Sequence, residues 1–270
     1  MRNKTFPYEV GRYALQPGTR PYIYHLIISP EALKATGLLE EISKVFASRN
    51  IPILGLKVST SPRLEVRIIV IVDLKGREDL AEGLRGELSR LRFVEEVTYI
   101  PPIAEGVVFD TFSFPFTFMG ERSIIMRREV YEGFIKAGWE RFGSAFAVML
   151  YLMGFEAGRK AFVDYYSIFR DPNTQLKAVS AVFQMLGYGV LEFVRVDDNA
   201  HRAVVRVYDS FECELFKGAG DIRSGFVRGM IAGFLAGRWN VKEVSAREVK
   251  CIARGDPYCE FHIEVEEGSR

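Results

Sequence analysis

The sequence of 270 residues lacks a surplus of either charge, because 36 Lys and Arg residues face 35 Asp and Glu residues, for a formal net charge of +1. A bulk field that would recruit nucleic acid or an anionic membrane is therefore excluded. The longest apolar stretches, at 145–155 and 226–236, fall short of the roughly 20 residues that cross a bilayer. We expect no membrane span and no direct contact with nucleic acid.

Signals of secretion and of common catalytic sites are also absent. No apolar segment follows the charges of the first residues, so we expect a cytoplasmic protein with reduced thiols. The sequence has no P-loop, nucleophile elbow, HExxH or Rossmann glycine motif, and its three histidines give no basis for a catalytic triad. A binding protein is expected in preference to an enzyme.

What the sequence does contain is typical of a folded protein of the α+β class. Hydrophobic residues make up 48% of the chain and charged residues 26%, which is enough to bury ordinary cores. The length exceeds the roughly 100 to 200 residues of a typical domain, so two domains are the first expectation.

The first domain is expected at residues 1–102, where Pro101-Pro102 ends the last strand. Its predicted elements are a strand at 22–28, a helix at 31–48, strands at 51–59 and 64–72, a helix at 79–91 and a strand at 94–100. The stretch 60–63 is short enough to join the second and third strands as a hairpin. The βαββαβ order predicts a ferredoxin-like sheet with both helices on one face.

In length and order this half resembles the ACT domain, a regulatory module that often binds amino acids where two copies meet. The resemblance implies a homodimer and an amino-acid effector. Members commonly carry an Asp and a Gly at the first strand-to-helix turn, whereas this chain has Ser29-Pro30-Glu31 and a later Gly37. Dimerisation or docking of a partner is therefore an equal alternative to effector binding.

A linker with a phenylalanine-rich arm is expected at 103–121. Phenylalanine stands at 109, 112, 114, 116 and 118, and the period of two from 112 onward predicts four rings on one side of an extended segment. Pro115 limits the segment to an edge strand or an arm. It is expected to be a strap on the second domain, with a ligand contact or a dimer-spanning arm as alternatives.

The second domain is expected at 122–266, followed by a tail at 267–270. Its predicted elements are helices at 127–142, 144–162 and 172–186, strands at 189–196 and 201–208, a helix at 222–237, and a hairpin of 246–253 with 258–265. Glycines 225, 229, 233 and 237 leave one stripe of the last helix without side chains. We expect that stripe to lie close to the domain's own sheet.

Three cysteines, Cys213, Cys251 and Cys259, lie in this half. The last two face each other across the hairpin, and facing residues have Cβ atoms roughly 4.5 to 5.5 Å apart. Glu248 lies three residues before Cys251, so the two can share an ion only if a bulge or a strand end intervenes. Three thiolates and one carboxylate suit a closed, structural zinc site.

Alternatives to this zinc site remain open at the level of the sequence. His262 is a rival fourth ligand, although strand alternation puts it on the other face of the hairpin. A disulfide between Cys251 and Cys259, or reduced buried thiols, would account for the same cysteines without a metal.

The stretch Glu248-Val-Lys-Cys251-Ile-Ala-Arg-Gly255-Asp-Pro-Tyr-Cys259-Glu-Phe261 resembles the closing motif of the 4-vinyl-reductase domain family. Two glycine motifs support the resemblance, Arg228-Gly229-Met-Ile-Ala-Gly233 and Gly154-Phe-Glu-Ala-Gly158. The family includes the sensor halves of aromatic-responsive bacterial activators, and the vesicle-tethering TRAPP subunits share its fold. The combination with an ACT-like domain resembles a group of archaeal regulatory proteins.

The resemblance implies a structural zinc beside a buried pocket for small aromatic molecules. Glu248, Cys251 and Cys259 match the sensors' ligands, whereas the sensors' remaining Cys falls near Ser224 or Gly225 and Cys213 replaces it by position only. We therefore expect a regulatory protein that binds a small apolar or aromatic ligand. The alternatives are a reductase of a vinyl or other apolar substrate and an assembly module. Candidate pocket residues are Trp139, Phe142, Phe146, Met149, Met153 and Phe183.

Overall fold

Two units divide the chain, Met1–Ile125 and Met126–Arg270. The computed structural model describes residues 7–60 and 66–266. The first unit contains both the expected first domain and the expected linker. The expected tail at 267–270 and positions 61–63 of the expected hairpin turn lie outside the described residues.

The first unit is built around a four-stranded antiparallel sheet in the order β3-β4-β2-β5, whose strands and flanking elements are given next. Its elements within the described residues are β1 (Tyr13–Leu15), β2 (Pro21–Ile28), α1 (Leu38–Ala47), β3 (Ile53–Thr60), β4 (Val66–Asp73), α2 (Ala81–Leu88), β5 (Val94–Ile100), β6 (Val107–Phe109), β7 (Thr117–Phe118) and β8 (Glu121–Arg122). Both helices pack on one face of the sheet, where Phe46 and Leu84 join a core with Tyr24 and Val70.

The helix expected at 31–48 is divided in two. A 3-10 turn spans Pro30–Lys34, and α1 begins only at Leu38. Gly37 has a φ of 93°, a left-handed conformation that interrupts a right-handed helix and that favours glycine. The periodicity of the sequence was therefore continuous across a break in the backbone.

The second face of this sheet is covered by the ribbon that β1 forms with β6. Ala14 and Val108 of the ribbon pack on Ile23 and Ile71 of the sheet. Because β2 and β4 are covered on both faces, they contain nearly continuous apolar runs instead of alternating ones.

The predicted row of four phenylalanine rings does not form. Asp110 accepts hydrogen bonds from the backbone N–H groups of Phe112 and Ser113 at 2.9 and 3.1 Å, and this local turn bends the chain where an extended segment was expected. Within 112–118, only Thr117–Phe118 is a strand, and it pairs with β8.

The second unit combines helices with a four-stranded antiparallel sheet in the order β11-β12-β10-β9, defined as follows. Its elements within the described residues are α3 (Arg128–Phe142), α4 (Ser144–Ile168), α5 (Pro172–Met185), β9 (Val190–Asp197), β10 (Arg202–Tyr208), α6 (Phe211–Glu214), α7 (Gly225–Arg238), β11 (Ser245–Lys250) and β12 (Cys259–Glu264). The main core joins Val205 and Phe261 of the sheet to Ile231 and Leu235 of α7.

The glycine stripe of α7 packs against α4, so the expectation that it lies on the sheet is wrong. A Cβ at Gly229 or Gly233 would overlap a backbone carbonyl of α4, and a Cβ at Gly154 or Gly158 would overlap a carbonyl of α7. Each helix thus removes its side chains where the other backbone passes. The two glycine motifs are the two halves of one helix contact, which the sequence alone did not reveal.

Candidate metal centre

The hairpin of β11 and β12 positions three of the four predicted ligands. Glu248 lies within β11, Cys251 follows its end, and Cys259 begins β12. The pairing of the two strands shifts register between Glu248 and Lys250. This irregularity turns Glu248 and Cys251 toward the same side, as a shared ion requires.

The turn between the two strands is held by its own polar groups. Asp256 accepts a hydrogen bond from the N–H of Cys251 at 2.8 Å and also binds the side chain of Arg254. Gly255 has a φ of 107°, which a residue with a side chain rarely adopts. The N–H of Ile252 points at Cys259 Sγ, 3.4 Å away, and stabilises negative charge on that sulfur.

The fourth predicted ligand, Cys213, arrives from the short helix α6. Ser210 caps this helix by accepting a hydrogen bond from the N–H of Cys213 at 3.5 Å. Cys213 Sγ then lies 3.6 Å from Cys251 Sγ and 3.5 Å from Cys259 Sγ. The structure therefore brings together all four residues predicted from the sequence.

The geometry of this cluster suits a tetrahedral metal ion. One ligand atom from each of the four residues lies within 4.8 Å of the others, and all four residues are buried. Zinc bonds of about 2.3 Å at tetrahedral angles would separate two sulfurs by about 3.8 Å. The observed sulfur separations are close to that value and far from the length of about 2.05 Å in a disulfide.

A fifth residue, Ser224, lies inside the cluster. Its Oγ is 2.7 Å from Glu248 Oε1, 2.8 Å from Cys213 Sγ and 3.5 Å from Cys259 Sγ. Sequence reasoning placed the missing family cysteine near this position but assigned Ser224 no role. Its position immediately before the glycine-rich helix α7 was the only signal.

The electrostatics of the cluster favour a bound cation. Burial, and then the neighbouring Cys251, raise the pKa of Glu248 to about 9, although the Ser224 hydrogen bond opposes this. Hydrogen bonds to Cys251 and Cys259 raise the pKa of the Cys213 thiol. Glu248 Oε2 is buried without a hydrogen-bond partner, and no ion pair reaches Glu248 from the described residues. A divalent cation would supply the missing charge and occupy the free oxygen.

His262, the rival ligand, lies outside the cluster. It is on the open face of the sheet, and its Nε2 is 3.3 Å from Glu260 Oε1. Cys213, rather than His262, therefore stands beside the hairpin ligands.

The six candidate pocket residues occupy three different environments. Trp139 and Phe146 pack in a side cluster with Ile135, Leu150 and Leu215, and Phe142 lies beside Phe146 with 6.5 Å between ring centroids. Phe183 belongs to the main core, whereas Met149 and Met153 are about half exposed on α4.

Neither of the two cavities that the structure describes is lined by these six residues. One, of about 570 Å³, lies on the open face of the second unit's sheet beside Arg247 and His262. The other, of about 470 Å³, lies in the first unit between the start of α1 and the strands β3 and β4.

The side cluster contains two buried N–H donors without partners, Trp139 Nε1 and Arg223 Nε. The Arg223 guanidinium lies 4.1 Å from the centroid of the Trp139 ring and 5.5 Å from that of Phe216. Arg223 directly precedes Ser224 of the cysteine cluster in the chain. Unpaired donors among aromatic rings are features of a site that binds a small molecule with a polar group.

Across the described residues, no helix has the length and apolar character needed to span a membrane.

Comparison with known proteins places the cysteine cluster in a recognised domain. The family model of the vinyl-4-reductase domain matches residues 203–265, a span that holds all four predicted ligands and Ser224. This match supports the resemblance to the 4-vinyl-reductase domain for that part of the chain. An uncharacterized protein of Methanocaldococcus jannaschii is 27% identical over 125 residues, covering 46% of this chain and 68% of the relative.

Solved structures give more distant matches. The phenol-responsive sensory domain of the transcription activator PoxR, determined with phenol, matches with a TM-score of 0.49 and 16% identity, covering 55% of this chain and 79% of that chain. A vinyl-4-reductase family protein from Methanocaldococcus jannaschii matches with a TM-score of 0.37 and 17% identity, covering 53% of this chain and 85% of that chain.

Proposed function

We propose that the second unit is a regulatory module that binds a small apolar or aromatic molecule and is stabilised by one structural zinc ion. The observation that carries the metal assignment is the buried set of Cys213, Glu248, Cys251 and Cys259, with a carboxylate oxygen that has no partner. Four protein ligands close a tetrahedral site, and a closed site stabilises the fold instead of activating water.

The ligand-binding part of the proposal is supported by the aromatic cluster around Trp139. Two buried N–H donors there lack acceptors, and a molecule with one polar group on an apolar frame would satisfy them. The match to the vinyl-4-reductase domain model places the adjacent metal cluster in a recognised domain. No step of catalysis is required by any of these features.

The metal assignment is tested by native mass spectrometry and metal analysis of the full chain. We expect one zinc ion per chain in the wild type and none in Cys251→Ser or Cys259→Ser. His262→Asn is the matched control, because this residue lies on the other face of the hairpin, and it should retain the ion. A metal-free wild type with three reduced thiols would overturn the zinc site.

The ligand assignment is tested by titrating the chain with phenol and with toluene while following tryptophan fluorescence. Trp139→Phe removes one unpaired donor and should weaken phenol binding more than toluene binding. Trp239 is the reference tryptophan, because its Nε1 already donates to Asp198 at 3.0 Å. Equal losses for both molecules, or no binding of either, would contradict the assignment.

For the first unit we propose the ACT-like role that its element order implies, namely pairing with a second copy and response to an amino-acid effector. The order of β2, α1, β3, β4, α2 and β5, and the cavity at the start of α1, support this proposal. Native mass spectrometry gives the subunit count, and thermal shifts with each common amino acid test the effector. A monomer without any such shift would refute this role.

A further inference from the structure

Ser224 is the N-cap residue of α7, yet its side chain does not cap the helix. A serine at this position normally accepts a hydrogen bond from the second or third N–H of the helix. Here those two N–H groups, of Phe226 and Val227, donate instead to the carboxylate of Glu212, each at 2.9 Å. Glu212 thereby replaces Ser224 as the cap and leaves its hydroxyl free for the cluster.

The freed hydroxyl holds one specific oxygen of Glu248. Ser224 Oγ donates to Glu248 Oε1 at 2.7 Å, while Oε2 of the same carboxylate has no partner. The two oxygens of one buried carboxylate are therefore in different states, one fixed and one available. A carboxylate held in this way presents a single oxygen to a cation.

We propose that Ser224 is the positioning residue of the metal centre: its hydroxyl holds Glu248 Oε1, so that Oε2 is the ligand oxygen beside the three thiolates. The inference rests on the proposed zinc site and adds to it a residue that is not itself a ligand. Ser224 also lies 2.8 Å from Cys213 Sγ and 3.5 Å from Cys259 Sγ, so the same hydroxyl fixes the spacing of carboxylate and sulfurs. Partners that orient ligands in this way typically change metal affinity 10- to 100-fold when removed.

The test compares zinc affinity and the cobalt spectrum in the full chain. Ser224→Ala should bind zinc about 10- to 100-fold more weakly in competition with a chelator. Its Co²⁺ complex should keep the charge-transfer bands of three thiolates while its d–d bands shift. Ser180→Ala, the same chemical change in α5 outside the cluster, should leave both readouts unchanged.

A double-mutant cycle separates positioning from general destabilisation. If Ser224 acts through the carboxylate, Ser224→Ala should have no further effect on zinc affinity once Glu248 is changed to Ala. A wild type that binds zinc and a Ser224→Ala variant of equal affinity would overturn this inference alone. Additive losses in the cycle would overturn it as well. A wild type that binds no zinc would overturn the zinc site and this inference together.

Discussion

Two buried carboxylates, one in each unit, have opposite environments. In the first unit, Asp110 Oδ2 lies 3.1 Å from Arg12 Nη1, and its Oδ1 lies 2.8 Å from His25 Nε2. In the second unit, Glu248 has one hydrogen bond from Ser224, and its other oxygen has no partner. Both side chains are buried, so solvent does not account for the difference.

The pKa values of the two groups follow their partners. Burial opposes ionisation of Asp110, but hydrogen bonds from His25 and Ser113 outweigh it and hold the pKa of this carboxyl well below its usual range. Burial, and then Cys251, raise the pKa of Glu248 to about 9. The chain alone therefore satisfies the carboxylate of Asp110, whereas that of Glu248 needs a cation from outside.

A third buried carboxylate, Glu212, is intermediate between these two. Both of its oxygens accept backbone N–H groups of α7, so its hydrogen bonds are satisfied. Burial raises the pKa of Glu212 to about 7, against the lowering effect of the N–H groups of Val227 and Phe226. Neutral donors at a helix N-terminus thus offset burial only in part.

Removal of the metal should affect the two units most unequally. A ligand present at 1,000 times its Kd stabilises the folded state by about 4 kcal/mol, and this is the loss expected in the second unit when a strong chelator is added under reducing conditions. Hydrogen exchange measured by mass spectrometry should show lost protection in β10 to β12 and unchanged protection in β2 and β4. Equal loss in both units would break the comparison.

Replacement of Asp110 should affect the first unit instead. Asp110→Asn removes the charge that His25 and Arg12 face, and a broken buried pair costs about 3 kcal/mol. Urea denaturation should show this loss, while zinc content stays at one ion per chain. Glu96→Gln, an exposed change in β5, should stay within about 0.5 kcal/mol of the wild type. An Asp110→Asn chain as stable as the wild type would show that the network is dispensable.

The contribution of Asp110 should also depend on pH. Because its pKa is lowered in the folded state, the stabilisation is present in full above the unfolded pKa of about 4 and is lost as the pH falls through the folded value. The stability difference between wild type and Asp110→Asn should therefore be equal at about pH 7 and pH 5 and should shrink at about pH 3. A difference that grows toward low pH would reverse the assigned sign.

The sequence predicted those parts of the site that are local in the chain. Glu248, Cys251 and Cys259 belong to one hairpin, so strand spacing was enough to relate them and to require the irregularity that the strands show. Cys213 depended on proximity in the fold and was assigned by position only. Ser224 could not be predicted, because its freedom depends on Glu212 taking the N–H groups that a serine cap would otherwise bind.

The fold was predictable to a similar limit. Strand and helix order in the first unit followed from periodicity, but the break at Gly37 and the turn at Asp110 arise from backbone conformation and one side chain. The contact between α4 and α7 was missed because glycine spacing reports close approach without naming the partner. The candidate pocket residues were selected by apolar character, which α4 shows on faces that the structure both buries and exposes.

The smallest effect is expected from Glu212→Gln, which tests whether neutral hydrogen bonds alone suffice for the intermediate carboxylate. The amide keeps one acceptor for two N–H groups, so the loss should be about 1 kcal/mol, as for a removed helix cap. Denaturant unfolding measures it, and Glu214→Gln, an exposed change in the same short helix, should cost less than about 0.5 kcal/mol. If the Glu212→Gln variant also binds zinc more weakly than the Glu214→Gln control, the Ser224 hydroxyl has returned to the helix end, and the cap and the metal centre share one hydroxyl.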